Sequence, residues 1–471
     1  MKKTDILIFG FFLLFLPLFF YNLGAYSLAD FDEAWYGDVA RNILISRNPL
    51  ILSFNGGHYI EHPPLGFILM DSSFLLFGFN EFGARFWSAF LAFGSIIILY
   101  LIGQKLFNRY VGISASLVLL SCVWFVFRAR TGNLDTVFLF FYLLTFYMCL
   151  KLKDNFKFIY LTAFSFSFLM LTKMLVGITV LVPIIAYVYI EKIVIEKKKL
   201  LKAVIIFCAL TLPWLLANYI NQGSFFLNHM ILVGFRPTGR IMIDFRHISS
   251  SITFQYLHFG MRKWYYPALI SILGSLIFIR RVKQLIPIYL IILVFLYGFL
   301  TNTKTEIWHL IPLYPFLGLF ISFFFYHAGY LFYKKMFKNT KLAKRLTAVS
   351  LVIVFFISAL WQIYKFRNEI HLWDNDISGL AYTASKSKGY KEQLYLYADY
   401  FLPSAVFYSG KHVNLVANEL YPKNTLVGII NSGPKPFLLL GEKWKFDLDK
   451  IDPSKYTLIS DYKEYRLIRV N

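Results

Sequence analysis

The stretch WSAFLAFGSIIILYLIGQ, residues 87–104, decides the fold class, because it carries no charged residue over a length that can cross a bilayer. A helix of this length rises about 27 Å, close to the hydrocarbon thickness of about 30 Å. Similar apolar runs recur along most of the chain and predict an all-α polytopic membrane protein. The predicted spans lie near 6–22, 87–104, 110–127, 136–150, 158–172, 175–190, 201–218, 264–279, 285–301, 308–330 and 347–364.

The composition of the 471-residue chain excludes the other broad classes of protein. Hydrophobic residues make up 58% and charged residues only 16%, against about 25% in soluble domains. The formal charge of +22 fits the Lys and Arg excess of cytoplasmic loops, and no nucleic-acid-binding motif accompanies it. The three cysteines, Cys122, Cys149 and Cys208, lie inside apolar stretches and are predicted to be buried thiols.

The basic residues also predict the orientation of the chain. One apolar run, 64–79, is short and contains Asp71. If this run does not cross the membrane, Lys and Arg cluster in the loops on the amino-terminal side; if it crosses, the bias reverses. We therefore predict about eleven transmembrane helices, with thirteen as the upper bound, and a cytoplasmic amino terminus in the plasma (inner) membrane. The run 64–79 then lies in the interface or re-enters, and the first span is an uncleaved anchor.

Two domains are predicted. Residues 1–365 form the transmembrane domain, with outer-face loops at 23–86, 128–135, 219–263 and 302–308. Residues 366–471 are mixed polar and apolar and form a small extracytoplasmic α/β domain. Its predicted strands are 393–399, 436–442 and 456–461, and its clearest predicted helix, 401–410, ends at Gly410.

Unusual polar residues fall on one predicted face of the membrane, the outer one. They occur in DFDEAWY (30–36), NGGHYIEHPPLG (55–66), NEFGARFWSA (80–89), RARTGNLD (128–135), LTKMLVG (171–177), the long loop 219–263 and NTKTEIWHLIPLYP (302–315). Charged groups at membrane depth are costly and usually functional. Carboxylates supply bases or metal ligands, whereas isolated cations hold phosphate. The pattern predicts an outward-facing site for a charged headgroup.

Each element also has a purely structural interpretation. Asp32 and Glu33 could begin a solvated helix, Glu81 and Arg85 could form a surface ion pair four residues apart, and Lys173 could extend to the interface. The joint pattern is what favours function.

The motifs DEAWY (32–36), EHPPLG (61–66), EFGAR (81–85), LTK (171–173), LPW (212–214) and TKTEIWHLIPLYP (303–315) resemble those of the polyprenyl-phosphate-sugar-dependent glycosyltransferases with the C-type multi-span fold. This family includes protein O-mannosyltransferases and the bacterial transferase that adds aminoarabinose to lipid A. The resemblance covers roughly residues 30–320. It departs at Trp35, where the family has Arg, at HMILVGFR (229–236), whose spacing is shifted, and after Lys173, where Gly-Pro is missing.

The resemblance implies transfer of a sugar from a polyprenyl-phosphate donor on the outer side of the membrane. Asp32 matches the family's proposed catalytic acidic residue, to which we assign the role of general base. Glu61 matches a glutamate beside a metal in the aminoarabinose branch, and His62 falls where that branch has a lysine that contacts the donor phosphate. A base near an acceptor hydroxyl typically contributes about 10²–10⁴-fold. The candidates are Asp32, Glu33 and Asp135 for catalysis; His62, Lys173, Arg236, Lys304 and His309 for the donor phosphate; Asp32, Glu61 and His229 for zinc, magnesium or manganese; and Tyr36, Glu81, Arg85 and Arg130 in support.

Two other functions remain open. A transporter or flippase of lipid-linked sugars would share the membrane body, but it would usually show internal repeats and polar residues near the midplane. An oligosaccharide ligase or polymerase would place its site in the long outer loop. The acceptor is left open between a glycolipid, a polymer and a protein, and the sugar between a hexose and a pentose.

Overall fold

The computed structural model describes residues 3–235, 252–301, 306–416, 426–432 and 435–471, and most of them are helical. The helices before the carboxyl-terminal domain are α1 Lys3–Leu13, α2 Leu16–Phe20, α3 Asp32–Ser46, α4 Leu65–Phe77, α5 Glu81–Leu106, α6 Arg109–Leu120, α7 Val123–Ala129, α8 Asp135–Leu150, α9 Phe158–Met170, α10 Met174–Gly177, α11 Leu181–Ile190, α12 Lys197–Gln222, α13 Ser224–Phe235, α14 Ile252–Met261, α15 Tyr265–Ser275, α16 Leu285–Thr301, α17 Tyr314–Phe337 and α18 Thr340–Phe366. A 3₁₀-helix, Ile307–Leu313, precedes α17.

The prediction of a helical polytopic membrane chain is confirmed. Five helices in the described residues are long and apolar enough to cross a membrane: Glu81–Leu106, Asp135–Lys153, Lys197–Gln222, Ile307–Phe337 and Thr340–Phe366. Helices α6 and α7 make a sixth span if they are counted together across their 72° bend. Other predicted spans are broken or short. The run 6–22 divides into α1 and α2, and α4, which covers the ambiguous run 64–79, has only 13 residues.

The bend between α6 and α7 is held by buried polar side chains from distant helices. At Ser121, Trp264 donates its indole N–H to the hydroxyl at 2.8 Å, and Gln362 donates to the backbone carbonyl at 2.5 Å. A sharp kink releases backbone groups from the helical ladder, and these contacts satisfy them. The bend sets the direction of α7, which carries Arg128 in its last turn and is followed by Arg130.

The carboxyl-terminal domain contains a mixed five-stranded sheet. Its strands are β3 Leu394–Tyr397, β4 Val413–Leu415, β5 Phe437–Glu442, β6 Tyr456–Tyr462 and β7 Tyr465–Val470, in the order β4-β3-β5-β7-β6. Strand β3 pairs in parallel with β4 and β5, whereas β7 runs antiparallel to β5 and β6. The helices are α19 Gly379–Ser385, α20 Pro403–Ser409 and α21 Leu426–Ser432. Strands β3, β5 and β6 and helix α20 were predicted from the sequence, whereas β4 and β7 were not.

The sheet domain is joined to the segment between α3 and α4, which holds the short hairpin β1 Ser53–Phe54 and β2 Gly57–His58. The side chain of Asn55 donates to the carbonyl of Val413 at 2.9 Å and accepts from its N–H at 2.8 Å. Helix α20 packs on α3, where Gly37 lies so close to the ring of Phe407 that a Cβ would approach it to 2.8 Å. The domain therefore braces the helix that begins at Asp32.

Candidate active site

A cavity of about 380 Å³ collects seven of the fourteen sequence-predicted site residues from five separate segments. The predicted residues that line it are Asp32, Tyr36, Glu61, His62, Asp135, Lys173 and His309. Three further lining residues, Arg128, Glu306 and Trp308, are not among the candidates named from the sequence. Apolar side chains, among them Met174 and Val176, form another part of the wall. The cavity thus combines carboxylates, cations and an apolar surface.

Asp32 occupies the first turn of α3 and presents a partly exposed carboxylate to the cavity. Its side chain is 29% exposed, and its Oδ2 accepts a hydrogen bond from Nη2 of Arg128 at 2.7 Å. Among the described residues, Arg128 is the hydrogen-bond partner of this carboxylate. An ionised carboxylate that is held at one oxygen and reachable from the cavity is suited to accept a proton.

Arg128 and Asp135 continue this contact into a chain of alternating charges. Arg128 donates from Nη2 and Nε to Oδ2 of Asp135 at 2.6 and 2.9 Å, while Lys173 donates to Oδ1 at 2.5 Å. The guanidinium also lies over the ring of Trp308, 5.1 Å from its centroid. Because Arg128 faces two carboxylates, its charge is neutralised locally, and its role is to hold both of them.

Tyr36 and His62 form a further part of the cavity wall. Their rings are edge to face with centroids 6.0 Å apart, and Tyr36 also packs on Phe67. Burial, with the neighbouring charge of Asp32, raises the pKa of Tyr36 well above its ordinary value, so this phenol stays neutral. The loop carrying Glu61 and His62 is fixed where the N–H of Leu65 donates to the carbonyl of Leu171.

Glu33, a catalytic candidate from the sequence, points away from the cavity into a buried ion pair. It is 2% exposed and accepts from Nε and Nη2 of Arg85 at 2.8 and 2.9 Å, and from the N–H groups of Ala29 and Gly132. Burial acts to raise the pKa of Glu33, but Arg85 and these donors lower it overall. Glu33 and Arg85 therefore join the first turns of α3 and α5 to the 128–135 segment.

Two more supporting candidates are also structural in their contacts. The anticipated pair between Glu81 and Arg85 does not form, because Arg85 pairs with Glu33 and Glu81 accepts from the hydroxyl of Tyr408 at 2.8 Å. Arg130 is fully buried and donates to four backbone carbonyls, those of Leu18, Tyr21, Ile370 and His371. It ties the amino-terminal segment to the chain that leads into the sheet domain.

Of the three predicted metal ligands, Asp32 and Glu61 line the cavity and His229 does not, although its neighbour Met230 does. The Nε2 of His229 is buried and has no hydrogen-bond partner among the described residues. Within the described ranges, no three His, Cys, Asp or Glu side chains come together as a metal site. Two predicted phosphate ligands, Arg236 and Lys304, lie outside the described residues.

Arg128, Glu306 and Trp308 line the cavity although they were not predicted as site residues, and all three lie within motifs quoted above. Glu306 and Trp308 lie within the quoted motif TKTEIWHLIPLYP, and Arg128 begins the quoted motif RARTGNLD. Two residues that are two positions apart on a helix are rotated by about 200° around its axis, so their side chains point to nearly opposite sides. Arg128 and Arg130 are therefore expected to have different surroundings, and the structure shows that Arg128 is the one that faces the cavity.

Comparison with known proteins supports the same fold. Residues 61–216 match the family model described as dolichyl-phosphate-mannose-protein mannosyltransferase. An uncharacterised protein of Aquifex aeolicus is 29% identical over 314 residues, covering 63% of this chain and 68% of that protein. The undecaprenyl phosphate-alpha-4-amino-4-deoxy-L-arabinose arabinosyl transferase of Shewanella sediminis is 35% identical over 97 residues, 21% of this chain and 18% of that protein. The matched regions span only 18% to 27% of the length of three relatives, namely this transferase, an arabinosyl transferase of Pseudomonas fluorescens and a further uncharacterised protein of Aquifex aeolicus.

Solved structures resemble nearly the whole chain. The apo crystal structure of ArnT from Cupriavidus metallidurans superposes with a TM-score of 0.74 at 13% identity, covering 98% of this chain and 97% of that one. The oligosaccharyltransferase of Archaeoglobus fulgidus gives a TM-score of 0.56 at 10% identity, covering 88% and 65%. The resemblance predicted from the sequence is confirmed: the chain has the C-type multi-span fold and is similar to the lipid-dependent glycosyltransferases.

Proposed function

We propose that this chain is an integral membrane glycosyltransferase that moves a sugar from a polyprenyl-phosphate donor to an acceptor hydroxyl on the extracytoplasmic face. The observation that carries the proposal is the cavity in which the accessible carboxylate of Asp32 is held by Arg128 beside an apolar wall. The relative in Shewanella sediminis is named for an undecaprenyl-phosphate donor, and one ArnT structure of the same fold is bound to undecaprenyl phosphate. Both findings favour a polyprenyl-phosphate donor for this chain.

The proposed reaction is a single displacement. The acceptor oxygen forms a bond to the anomeric carbon, the bond from that carbon to the phosphate oxygen breaks, and the hydroxyl proton passes to Asp32. One displacement inverts the anomeric centre. Arg128 and Asp135 position the base, since Nη2 of Arg128 donates to both Asp32 and Asp135.

The departing phosphate gains charge and needs cations or donors near it. Within the described cavity, we assign this role to His62, His309 and the ammonium N–H groups of Lys173 that do not donate to Asp135. The imidazoles are suited to the task because a ring N–H can donate a hydrogen bond to a phosphate oxygen. Arg236 and Lys304 remain predictions for the same role, and a divalent metal remains a prediction from the resemblance.

The proposed topology has eleven spans, a cytoplasmic amino terminus and an extracytoplasmic sheet domain in the plasma (inner) membrane. This orientation is supported by the Lys and Arg residues that cluster in the loops on the amino-terminal side, as is typical of cytoplasmic loops. A topology reporter fused to a chain truncated after Asn108 should give a cytoplasmic signal. An extracytoplasmic signal at this point would contradict the orientation, and with it the proposed face of the reaction.

The donor is tested with the purified chain and a panel of undecaprenyl- and dolichyl-phosphate sugars that includes hexoses, pentoses and amino sugars. Free polyprenyl phosphate is measured after addition of crude membrane acceptors, with Zn²⁺, Mg²⁺, Mn²⁺ or EDTA in parallel. Release with one sugar class establishes the donor, and its response to EDTA decides the metal. Donor binding without release under every condition would favour the transporter or flippase instead.

A further inference from the structure

A second cavity, of about 980 Å³, lies at the other end of the helices that form the Asp32 cavity. Its lining residues fall within the segments 152–162, 184–200 and 283–286, and we call it the inner cavity. Helix α16 lines the inner cavity at Ile286 and the Asp32 cavity at Phe299, and these two residues lie about 20 Å apart along the helix axis. The two cavities are therefore separate sites.

Hydrogen bonds between turns show that several basic loops meet around the inner cavity. Lys105 donates to Asp154 at 2.5 Å, and Lys153 donates to Glu191 at 2.5 Å. Gln284 donates to the other carboxylate oxygen of Glu191 at 3.0 Å. These contacts join the turns after α5, α8 and α11 to the turn before α16. The loops that carry the predicted cytoplasmic charge thus lie at one end of the bundle.

The wall of the inner cavity is mostly hydrocarbon. Twelve of its sixteen lining residues have side chains of carbon and hydrogen alone, among them Ile159, Ile184 and Val188. Val194, at its edge, is 80% exposed. The volume lies at the upper end of the range of about 300–1,000 Å³ that is typical of ligand sites. Because an unfilled apolar space forfeits dispersion contacts, this wall favours a hydrocarbon chain as its occupant.

Two lysines that line the inner cavity, Lys192 and Lys283, form no ion pair in the part of the chain that the structure describes. The nearest carboxylate in the sequence, Glu191, already accepts from Lys153 with one oxygen and from Gln284 with the other. Since Gln284 adjoins Lys283, the same hydrogen bond holds the two lysine-bearing turns together. Two ammonium groups without a carboxylate, beside an apolar wall, fit a ligand that has an anionic head and hydrocarbon chains.

The backbone at Lys192 is in a conformation that seldom carries a lysine. Lys192 follows α11 with φ +50°, in the left-handed region that usually takes glycine at a helix end. The N–H of Ile193 donates to the carbonyl of Val188 at 3.0 Å, and the N–H of Lys192 donates to that of Tyr189 at 3.2 Å. These backbone bonds close the turn without any side chain at position 192. Lys192→Gly should therefore remove the ammonium and keep the turn.

We propose that the inner cavity binds an anionic phospholipid, with an acyl chain along the apolar wall and the phosphate beside Lys192 and Lys283. A zwitterionic phospholipid fits less well, because its own cation would lie near two ammonium groups. The inference goes beyond the proposed function, since this lipid is neither the donor nor the acceptor. On the proposed topology the lipid belongs to the cytoplasmic leaflet, but its binding does not depend on the orientation.

Native mass spectrometry of the full-length chain tests this site without turnover. The detergent-purified protein is titrated with phosphatidylglycerol or with phosphatidylcholine of the same acyl chains. Wild type should prefer phosphatidylglycerol. The double variant Lys192→Gly with Lys283→Gln should bind it about 30-fold more weakly, because each basic residue near an anionic lipid contributes a factor of about five. Its affinity for phosphatidylcholine should equal that of the wild type.

The matched control removes the same charge from the same end of the bundle. Lys198 and Arg281 are exposed and do not line the inner cavity. The double variant Lys198→Gln with Arg281→Gln should bind phosphatidylglycerol as the wild type does. An equal loss in both double variants would show a general effect of surface charge and would overturn the inference.

Three other results would also overturn the inference. The first is equal affinity of the wild type for the two phospholipids, and the second is unchanged binding by Lys192→Gly with Lys283→Gln. The third is displacement of phosphatidylglycerol by a competitor of different chemistry. Displacement by glycerol 3-phosphate would indicate a site for free phosphate, whereas displacement by an equal concentration of undecaprenyl phosphate would indicate a site for the donor lipid.

Thermal unfolding gives a second measurement that is independent of the mass spectrometer. A ligand that binds only the folded chain raises its thermal midpoint. Phosphatidylglycerol should raise the midpoint of the wild type relative to phosphatidylcholine, and it should not raise that of Lys192→Gly with Lys283→Gln. An equal rise in both proteins would contradict the site. Because neither measurement uses turnover, failure of donor release would refute the proposed function and leave this test intact.

Discussion

Replacing Arg128 by alanine would remove the group that holds Asp32 and Asp135 together. Three hydrogen bonds would be lost, at 2.7 Å to Asp32 and at 2.6 and 2.9 Å to Asp135. Asp135 keeps its contact with Lys173, whereas Asp32 loses its partner among the described residues. A catalytic group displaced by about 1 Å costs about 10²-fold, or about 2.7 kcal/mol in the barrier. We therefore expect kcat of Arg128→Ala to fall about 10²-fold.

The donor KM should change little, because two carboxylates already neutralise the Arg128 guanidinium. The assay is single-turnover release of polyprenyl phosphate by detergent-purified protein, with added guanidinium chloride at a concentration below that which unfolds the chain. Guanidinium should restore part of the rate in Arg128→Ala. Arg128→Lys should be intermediate, since one ammonium cannot reproduce the planar fork. A wild-type kcat for Arg128→Ala, or a loss that matches the loss of folded protein, would refute this role.

Three further changes test the structural contacts. Arg85→Ala should lower the free energy of unfolding by about 3–5 kcal/mol, seen as a lower thermal midpoint, because Glu33 stays buried and unpaired. The folded-state pKa of Glu33 lies below its ordinary value of 4.5, so its stabilising effect is present above that pH and is lost as the pH falls through the lowered pKa. Glu33→Gln should flatten this acid dependence, and an unchanged acid limb would contradict it. Arg130→Gln should increase proteolysis near Ile370, because the guanidinium of Arg130 donates to the backbone carbonyl there. The contacts of Arg128 should stay intact. Resistance to proteolysis equal to that of the wild type would contradict the role of Arg130 in holding this segment.

The sequence was sufficient to identify most of the segments that line the cavity, because charge at membrane depth is costly wherever the chain places it. It was not sufficient for the rotation of each helix. Asp32 and Glu33 are adjacent and about 100° apart on α3, so one faces the cavity and the other the buried Arg85. Which one does so depends on packing against α5 and the 128–135 loop, which no local pattern encodes.

The span boundaries and two strands were harder to predict for a similar reason. Hydropathy reports that a run is apolar but not that it bends, and the break at Ser121 depends on Gln362 from a helix far along the chain. Strand β4 has only three residues, and β7 follows β6 after a two-residue turn, so neither stood out as a separate apolar run. Where the local signal was complete, as in α20 before Gly410 at φ +67°, the prediction matched the structure.

The central claim is that Asp32 is the base of a lipid-phosphate-dependent sugar transfer, and one comparison tests it most directly. Wild type and Asp32→Asn are loaded with the same undecaprenyl-phosphate sugar, and donor binding and polyprenyl-phosphate release are measured in the presence of acceptor. We predict equal donor binding, with release at least about 10²-fold slower in Asp32→Asn. Release at the wild-type rate by Asp32→Asn would contradict the claim.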